Sequence, residues 1–348
     1  MILTVQESEI FIILFIFGLV VLSLMVDYLK RSSKQLRLIS FIVVTFLLVF
    51  LSSIRFGIGT DYFEYMNDFF QMTSKDFLFE LLTIFSRAIF DDFFTLIFFS
   101  SLLTHFVISY IYFKKSKLYF LSIFLYLSLW YFFGSWNLIR QYLAMAFVFL
   151  FIVLLIDKKF KQSIIYALIA IFFHSSALPV ILIILVIYLG SNKIFILTLS
   201  LFLSIFIFYN DLIALIEYNS DITHLHYLFI DDKFNFTPFI FSLGSIFPLI
   251  FFITKKNFTL DDNLKIYLKL YSIGVIFLLL STQNLFFSRL AFYFLILQTL
   301  LIPNFIDQLK SNSVKPLLVL YYLAYGTLSM IFSINQYRDG VIPLKFIF

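Results

Sequence analysis

No cysteine occurs anywhere in the 348 residues, so disulfide frameworks, thiol nucleophiles and cysteine-based metal centres are excluded. A zinc site would have to be built from carboxylates and imidazoles, and there are only 4 His. Charge is scarce as well: 13% of residues are charged, against about 25% in a soluble domain. What fills the space is apolar. The chain is 62% hydrophobic with 52 Phe, and its mean hydropathy is +1.02. A soluble fold of this length could not hide that much apolar surface, so lipid must cover most of it. No Lys or Arg precedes the first apolar run; Met1–Glu9 carries only the acids Glu7 and Glu9. A cleavable signal peptide needs a positive start and a small-residue cleavage site. The first run therefore reads as a retained helix entering from outside.

The net charge is +5 and the pI near 9.1. In a membrane protein, basic cytoplasmic loops account for such an excess, so no nucleic-acid partner is expected. Apolar runs long enough to span, or nearly so, lie at 10–28, 38–54, 93–113, 118–134, 141–156, 162–174, 177–190, 194–210, 238–254, 264–281, 290–306 and 316–334. Several fall short of the ~20 residues of a full span. The expected fold is all-α, a polytopic membrane helical bundle of about 11–13 transmembrane helices. It forms one integral membrane domain over 1–348, with outer loops at about 55–92 and 211–237. Segment 77–90 reads as an amphipathic helix on the outer surface, or a half-inserted one. Segment 210–237 could fold as a lid.

Orientation follows from the basic residues. The loops holding Lys30 to Arg37, Lys114 to Lys117, Lys158 to Lys161, Lys193, Lys255 to Lys269, Lys310 and Lys315 carry 17 of the 25 basic residues. That face is expected to be cytoplasmic, with both termini outside. Of the 18 Lys, 15 fall inside by this assignment, yet 5 of the 7 Arg fall outside: Arg55, Arg87, Arg140, Arg289 and Arg338. Topology alone would send both residue types inward. The outer face therefore selects guanidinium, a planar fork of donors matched to phosphate or carboxylate.

The outer ends of the helices carry the motifs. Arg55-Phe-Gly-Ile-Gly-Thr-Asp61-Tyr62, followed by Tyr65, puts two glycines where a helix exits. They permit a tight turn and close backbone approach to a ligand, but no P-loop Lys-Ser/Thr follows. In Trp136-Asn-Leu-Ile-Arg140-Gln141-Tyr142, Arg140 opens a span otherwise free of charge. An ionisable residue there is a functional candidate, with snorkelling to the interface as the plainer reading. Phe173-His174-Ser-Ser places an imidazole beside two hydroxyls, ahead of Pro179. His105, mid-span, reads as structural. Ser288-Arg289-Leu-Ala-Phe-Tyr293 stands at another outer helix start, and Asn335–Asp339 forms a polar tail. His224 and His226, with Asp221, Asp231 and Asp232 nearby, are the only residues that suggest a metal, and no catalytic metal is expected.

Taken in order, R-x-G-x-G-T-D-Y-x-x-Y, N-x-x-R-Q-x-x-A, F-H-x-S-A and S-R-x-A-x-Y resemble the EpsG family of Wzy-like polymerases, over roughly residues 50–305. The resemblance implies a GT-C-like, inverting and metal-independent glycosyltransferase with no cofactor. It would join undecaprenyl-diphosphate-linked oligosaccharide repeat units of an O-antigen, capsule or exopolysaccharide on the outer face of the bacterial cytoplasmic membrane. Its expected partners are that lipid-linked substrate, the bilayer and a polysaccharide chain-length regulator. On this reading Arg55, Arg140 and Arg289 bind the diphosphate, whose activation as a leaving group makes a metal unnecessary. His174 is the general base, because imidazole titrates near neutrality, and Asp61 is the runner-up. Tyr62, Tyr65, Trp136, Gln141 and Tyr293 contact the glycan. A lipid-linked oligosaccharide flippase, a WaaL-type ligase, a membrane O-acyltransferase and a non-catalytic scaffold are the alternatives. A scaffold leaves the outward arginine bias unexplained.

Overall fold

The computed structural model describes residues 1–29, 33–73, 76–207, 244, 250, 260–284, 286–310, 313–336 and 340–346. Among them, regular secondary structure is helical, and extended pairing is confined to two isolated bridges. Among the described residues seven helical stretches, Phe286–Gln308 taken as one, are long and apolar enough to cross a membrane, and four shorter apolar helices accompany them. The protein is an all-α, polytopic membrane protein. Its described residues divide into two compact units, Met1–Leu178 with Ile302–Phe348, and Pro179–Leu301.

The first unit opens with α1 (Val5–Tyr28), whose Thr4 and Glu7 form a reciprocal capping box. It is followed by α2 (Lys34–Ser53), α3 (Tyr62–Gln71), α4 (Phe77–Ile89) and α5 (Phe93–Lys115). Next come α6 (Tyr119–Ser128), α7 (Tyr131–Gly134), α8 (Ile139–Ile156) and α9 (Phe160–Phe173). The apolar run expected at 118–134 is thus broken, because Trp130 adopts φ +71° between α6 and α7. The amphipathic segment forms α4, and α3 adds a short helix that hydropathy did not reveal. Helices α10 (Ala177–Leu189), α11 (Asn192–Ile207), α12 (Asp262–Leu280), α13 (Phe286–Leu295), α14 (Gln298–Gln308) and α15 (Val314–Asn335) complete the order. The run expected at 290–306 begins earlier and is divided into α13 and α14. The span expected at 238–254 lies outside the described residues apart from Gly244 and Ile250.

In the first unit α8 is the central helix, buried along nearly its whole length. Around it, α1, α2 and α15 turn large apolar side chains such as Phe17, Phe46 and Leu320 outward. Lipid would cover such faces. Helices α2 and α5 are joined by hydroxyl pairs, Thr45 to Ser109 and Ser52 to Ser101, each at 2.9 Å. Such pairs satisfy polar groups where no water is available. Gly326 of α15 lies against α6, where an added Cβ would stand 2.5 Å from both Phe124 and Ser128.

The two ends of this unit differ in charge. One end gathers Arg37 with the Phe113 carbonyl, Lys115 with Asp157, and Lys117 with Asn304. The other holds Arg55, the first residues of the chain and the segment Leu344–Phe346. There, Phe56 N–H donates to the Lys345 carbonyl at 2.9 Å and Leu3 N–H to that of Leu344 at 3.0 Å. The 20 residues of α2 separate these ends by about 30 Å.

In the second unit α12 packs closely on α13, with Gly274 beneath Phe294 and Leu295. Lys269 Nζ donates to Asn192 Oδ1 at 2.7 Å, and Phe202 meets Phe277.

Candidate functional site

Arg55 follows the last turn of α2 and is fully buried. Its Nη1 donates to the Ser52 carbonyl, to Ser52 Oγ at 3.0 Å and to Ser101 Oγ at 3.4 Å. The guanidinium also lies 5.8 Å from the Trp136 ring centroid. Among the described residues no carboxylate comes within 4 Å of it, and its Nε has no partner. Burial pulls its pKa down to about 9, which still leaves a cation at neutral pH. Beside it is a cavity of about 10 Å³, lined by hydroxyls including Ser100, Ser101 and Thr104, and by His105. A space that small cannot take a phosphate. In this conformation Arg55 grips protein oxygens.

The glycine motif folds as a loop organised from α8's approach segment. Gly57 adopts φ +59° and Gly59 φ +102°, both in the region that favours glycine. Asn137 Oδ1 accepts from Thr60 Oγ1 at 2.9 Å and from the Asp61 backbone N–H at 3.0 Å. The first motif is thereby tied to the turn that opens the second. The Asp61 carboxylate lies 3.0 Å from Thr60 Oγ1, whose one proton it shares with Asn137, and makes no contact with Arg55.

A second cluster forms where α4, α8 and α9 meet. Asp76 stands at the N-cap position of α4, yet its carboxylate does not cap the helix. It points sideways instead. Its Oδ2 is 3.2 Å from His174 Nδ1 and 3.5 Å from Arg140 Nη1. His174 ends α9 in an extended conformation, and Arg140 belongs to the first turn of α8. The three side chains retain only 11%, 25% and 21% exposure for Asp76, His174 and Arg140. Arg140 rests on the rings of Tyr65 and Phe79, at 5.3 and 5.9 Å, with its Nε unpartnered. An ionised carboxylate can only accept, so the His174 tautomer that pairs with it carries its proton on Nδ1. Nε2 is then the unprotonated nitrogen, as a general base requires.

Arg140 and His174, expected from their motifs, are thus brought together by Asp76, which the sequence reading did not single out. Only its position in the long outer loop could have suggested it. Tyr62, Tyr65, Trp136 and Gln141 are all buried in the first unit. Trp136 packs on Phe132 and Phe133 beneath Arg55, and Tyr62 on Phe56, Phe63 and Phe93. Burial raises the Tyr65 phenol pKa, with Arg140 acting in the opposite direction. These rings build the seats of the arginines and offer no exposed face for a sugar in this conformation. In the second unit, Arg289 is exposed in the first turn of α13, and Tyr293 is buried one turn on. Arg87 has a local explanation: it pairs with Asp91 at 2.8 Å. Arg338, His224, His226 and the lid segment lie outside the described residues.

Together these features define a multi-pass membrane protein with buried guanidinium groups and a carboxylate–imidazole pair near the ends of its helices. A family model described as the EpsG family matches residues 38–346, so the chain belongs to the EpsG family. No curated protein and no solved structure matches it.

Proposed function

We propose that the protein is a Wzy-like polysaccharide polymerase, an inverting glycosyltransferase acting on the outer face of the cytoplasmic membrane. Membership of the EpsG family supports the class. The observation that carries the chemistry is the Asp76 carboxylate shared by His174 and Arg140. In the proposed step, His174 Nε2 takes the proton of an acceptor sugar hydroxyl. That oxygen attacks the anomeric carbon of the donor from the face opposite the diphosphate. The anomeric C–O bond breaks, its electron pair leaves with undecaprenyl diphosphate, and the proton stays on His174. Asp76 holds the imidazole in the right tautomer and steadies the imidazolium that forms.

Arg140 is the guanidinium proposed to meet the charge developing on the diphosphate, in surroundings where such a contact is strong. Arg55, with no carboxylate beside it among the described residues, contributes its positive field from a buried seat. Arg289, in the second unit, carries the same proposed role on its motif alone. Asp61 is retained as the second candidate base, and the aromatic residues as supports for glycan contacts. The repeat unit is expected on an undecaprenyl carrier, with a chain-length regulator as partner and a GT-C-like helix arrangement.

A deletion strain examined for surface polysaccharide tests this reading. A single repeat unit left on the carrier or lipid acceptor supports a polymerase. Loss of all surface sugar with carrier accumulating inside supports a flippase. Long chains of normal length would dismiss both.

A further inference from the structure

At the end of the first unit remote from Arg55, a cavity of about 450 Å³ opens between α2 and α5. Five cations line it, Lys34, Arg37, Lys114, Lys115 and Lys117, and no carboxylate does. Lys115 is neutralised by Asp157 at 2.6 Å. The other four make no ion pair among the described residues. Leu38 and Phe113 supply an apolar wall.

Basic residues at one end of a membrane bundle are expected from topology alone. Topology requires neither a cavity nor a guanidinium held in place, and both are here. Arg37 Nη2 donates to the Phe113 carbonyl at 3.0 Å, and its guanidinium carbon sits 4.3 Å from the Phe113 ring centroid. The side chain is thereby fixed, while its buried Nε has no partner among the described residues. Lys114 lies against the Tyr110 and Phe113 rings on the same wall. A pre-set fork beside compact ammonium groups suits a phosphate oxyanion, and the size fits a headgroup with its glycerol. The apolar side favours a lipid over free phosphate. Leu38 is exposed next to Ile39 and Ile42 on the outward face of α2, along which acyl chains would run.

We propose that this pocket binds the phosphate headgroup of an anionic phospholipid. The site is independent of the glycosyl-transfer reading, since it lies at the other end of α2 and shares no residue with it. It would anchor the α2–α5 pair in an anionic leaflet.

The test uses the purified full-length protein, exchanged into mixed phosphatidylglycerol and phosphatidylcholine, with bound lipid read by native mass spectrometry. The wild type is expected to retain phosphatidylglycerol selectively. Arg37→Gln and Lys114→Gln are expected to weaken retention roughly fivefold for each cation removed. Lys265→Gln, at an exposed site paired with Asp262, should leave it unchanged. Should the Arg37 variant fail to fold, Lys34→Gln, exposed in the first turn of α2, reads the same site. Equal retention of the two lipids overturns the proposal. So does an equal loss in Lys265→Gln, which would mark a bulk charge effect. Displacement of the lipid by millimolar inorganic phosphate would assign the pocket to free phosphate and overturn it as a lipid site.

Discussion

Asp76 Oδ2 lies 3.2 Å from His174 Nδ1 although 98 positions separate the two residues. The pair joins the start of α4 to the end of α9, and the same oxygen reaches Arg140 at 3.5 Å. If Asp76 orients the imidazole, Asp76→Asn should cost more than its small change in shape suggests. An amide can donate to Nδ1 and so favour the tautomer with the proton on Nε2, which is the wrong one for a base. General-base catalysis contributes about 10²–10⁴-fold, and the wrong tautomer forfeits it. Polymer formation with Asp76→Asn is expected to fall at least that far, well beyond any loss of folded protein that thermal unfolding registers. A variant that polymerises at the wild-type rate would remove Asp76 from the mechanism.

Arg140 offers a second test, because its fork and its charge can be separated. Arg140→Lys keeps the charge and loses the planar donors that rest between Tyr65 and Phe79. Turnover is expected to fall about 10²–10³-fold, as for removal of a donor to a developing anion. Arg140→Ala should add a stability loss of about 1–3 kcal/mol, since the little-exposed Asp76 carboxylate then loses one of its charged contacts. Equal polymer lengths for wild type and both variants would exclude Arg140 from diphosphate binding.

Much of this arrangement was legible in the sequence, for identifiable reasons. Helix existence follows from long apolar runs, and α1, α2, α5, α8 and α15 fall close to where the runs place them. The bias of arginine over lysine pointed to Arg55 and Arg140 because guanidinium and ammonium are equal in topology and unequal in chemistry. Asp76 escaped notice because Ser74-Lys75-Asp76 reads as an ordinary solvated turn; its partners come from α8 and α9, and no local spacing encodes them. Asn137 was passed over inside its own motif for the same reason. The break at Trp130 was hidden in an apolar run, since a positive φ at a non-glycine residue is imposed by surrounding packing. Trp136 and Tyr62 stood out through their motifs, but whether a ring faces a ligand or an arginine depends on tertiary packing.

Gly326 supplies a prediction about the scaffold. A Cβ there would stand 2.5 Å from Phe124 Cε1 and from Ser128 Oγ, so these side chains of α6 fill the space beside the glycine. Gly326→Leu is expected to destabilise the detergent-solubilised protein by about 1–3 kcal/mol through overpacking. Fluorescence-monitored thermal unfolding would measure it. A variant as stable as wild type would show that α15 can be displaced from α6 at no cost.

The glycine loop can be tested through two contacts that should act as one. Gly59 is at φ +102°, and an added Cβ would meet the Trp136 carbonyl oxygen at 3.0 Å and Asn137 Cα at 3.2 Å. Both obstacles are backbone, so neither can swing aside. Gly59→Ala is therefore expected to cost about 1–3 kcal/mol from strain. Asn137→Leu removes the acceptor shared by Thr60 Oγ1 and the Asp61 N–H. The Thr60 hydroxyl can turn to the Asp61 carboxylate, but stranding the Asp61 N–H costs about 1–3 kcal/mol where it is shielded from water. Because Gly59 packs on Asn137 itself, the strain of the first change is relieved once the second has freed the loop. The double variant should then lose less than the two single losses combined, by about 0.5 kcal/mol or more. Strict additivity in thermal unfolding would mean that Asn137 does not hold the loop in place, and the link from the Arg55 motif to the start of α8 would have to be carried by other contacts.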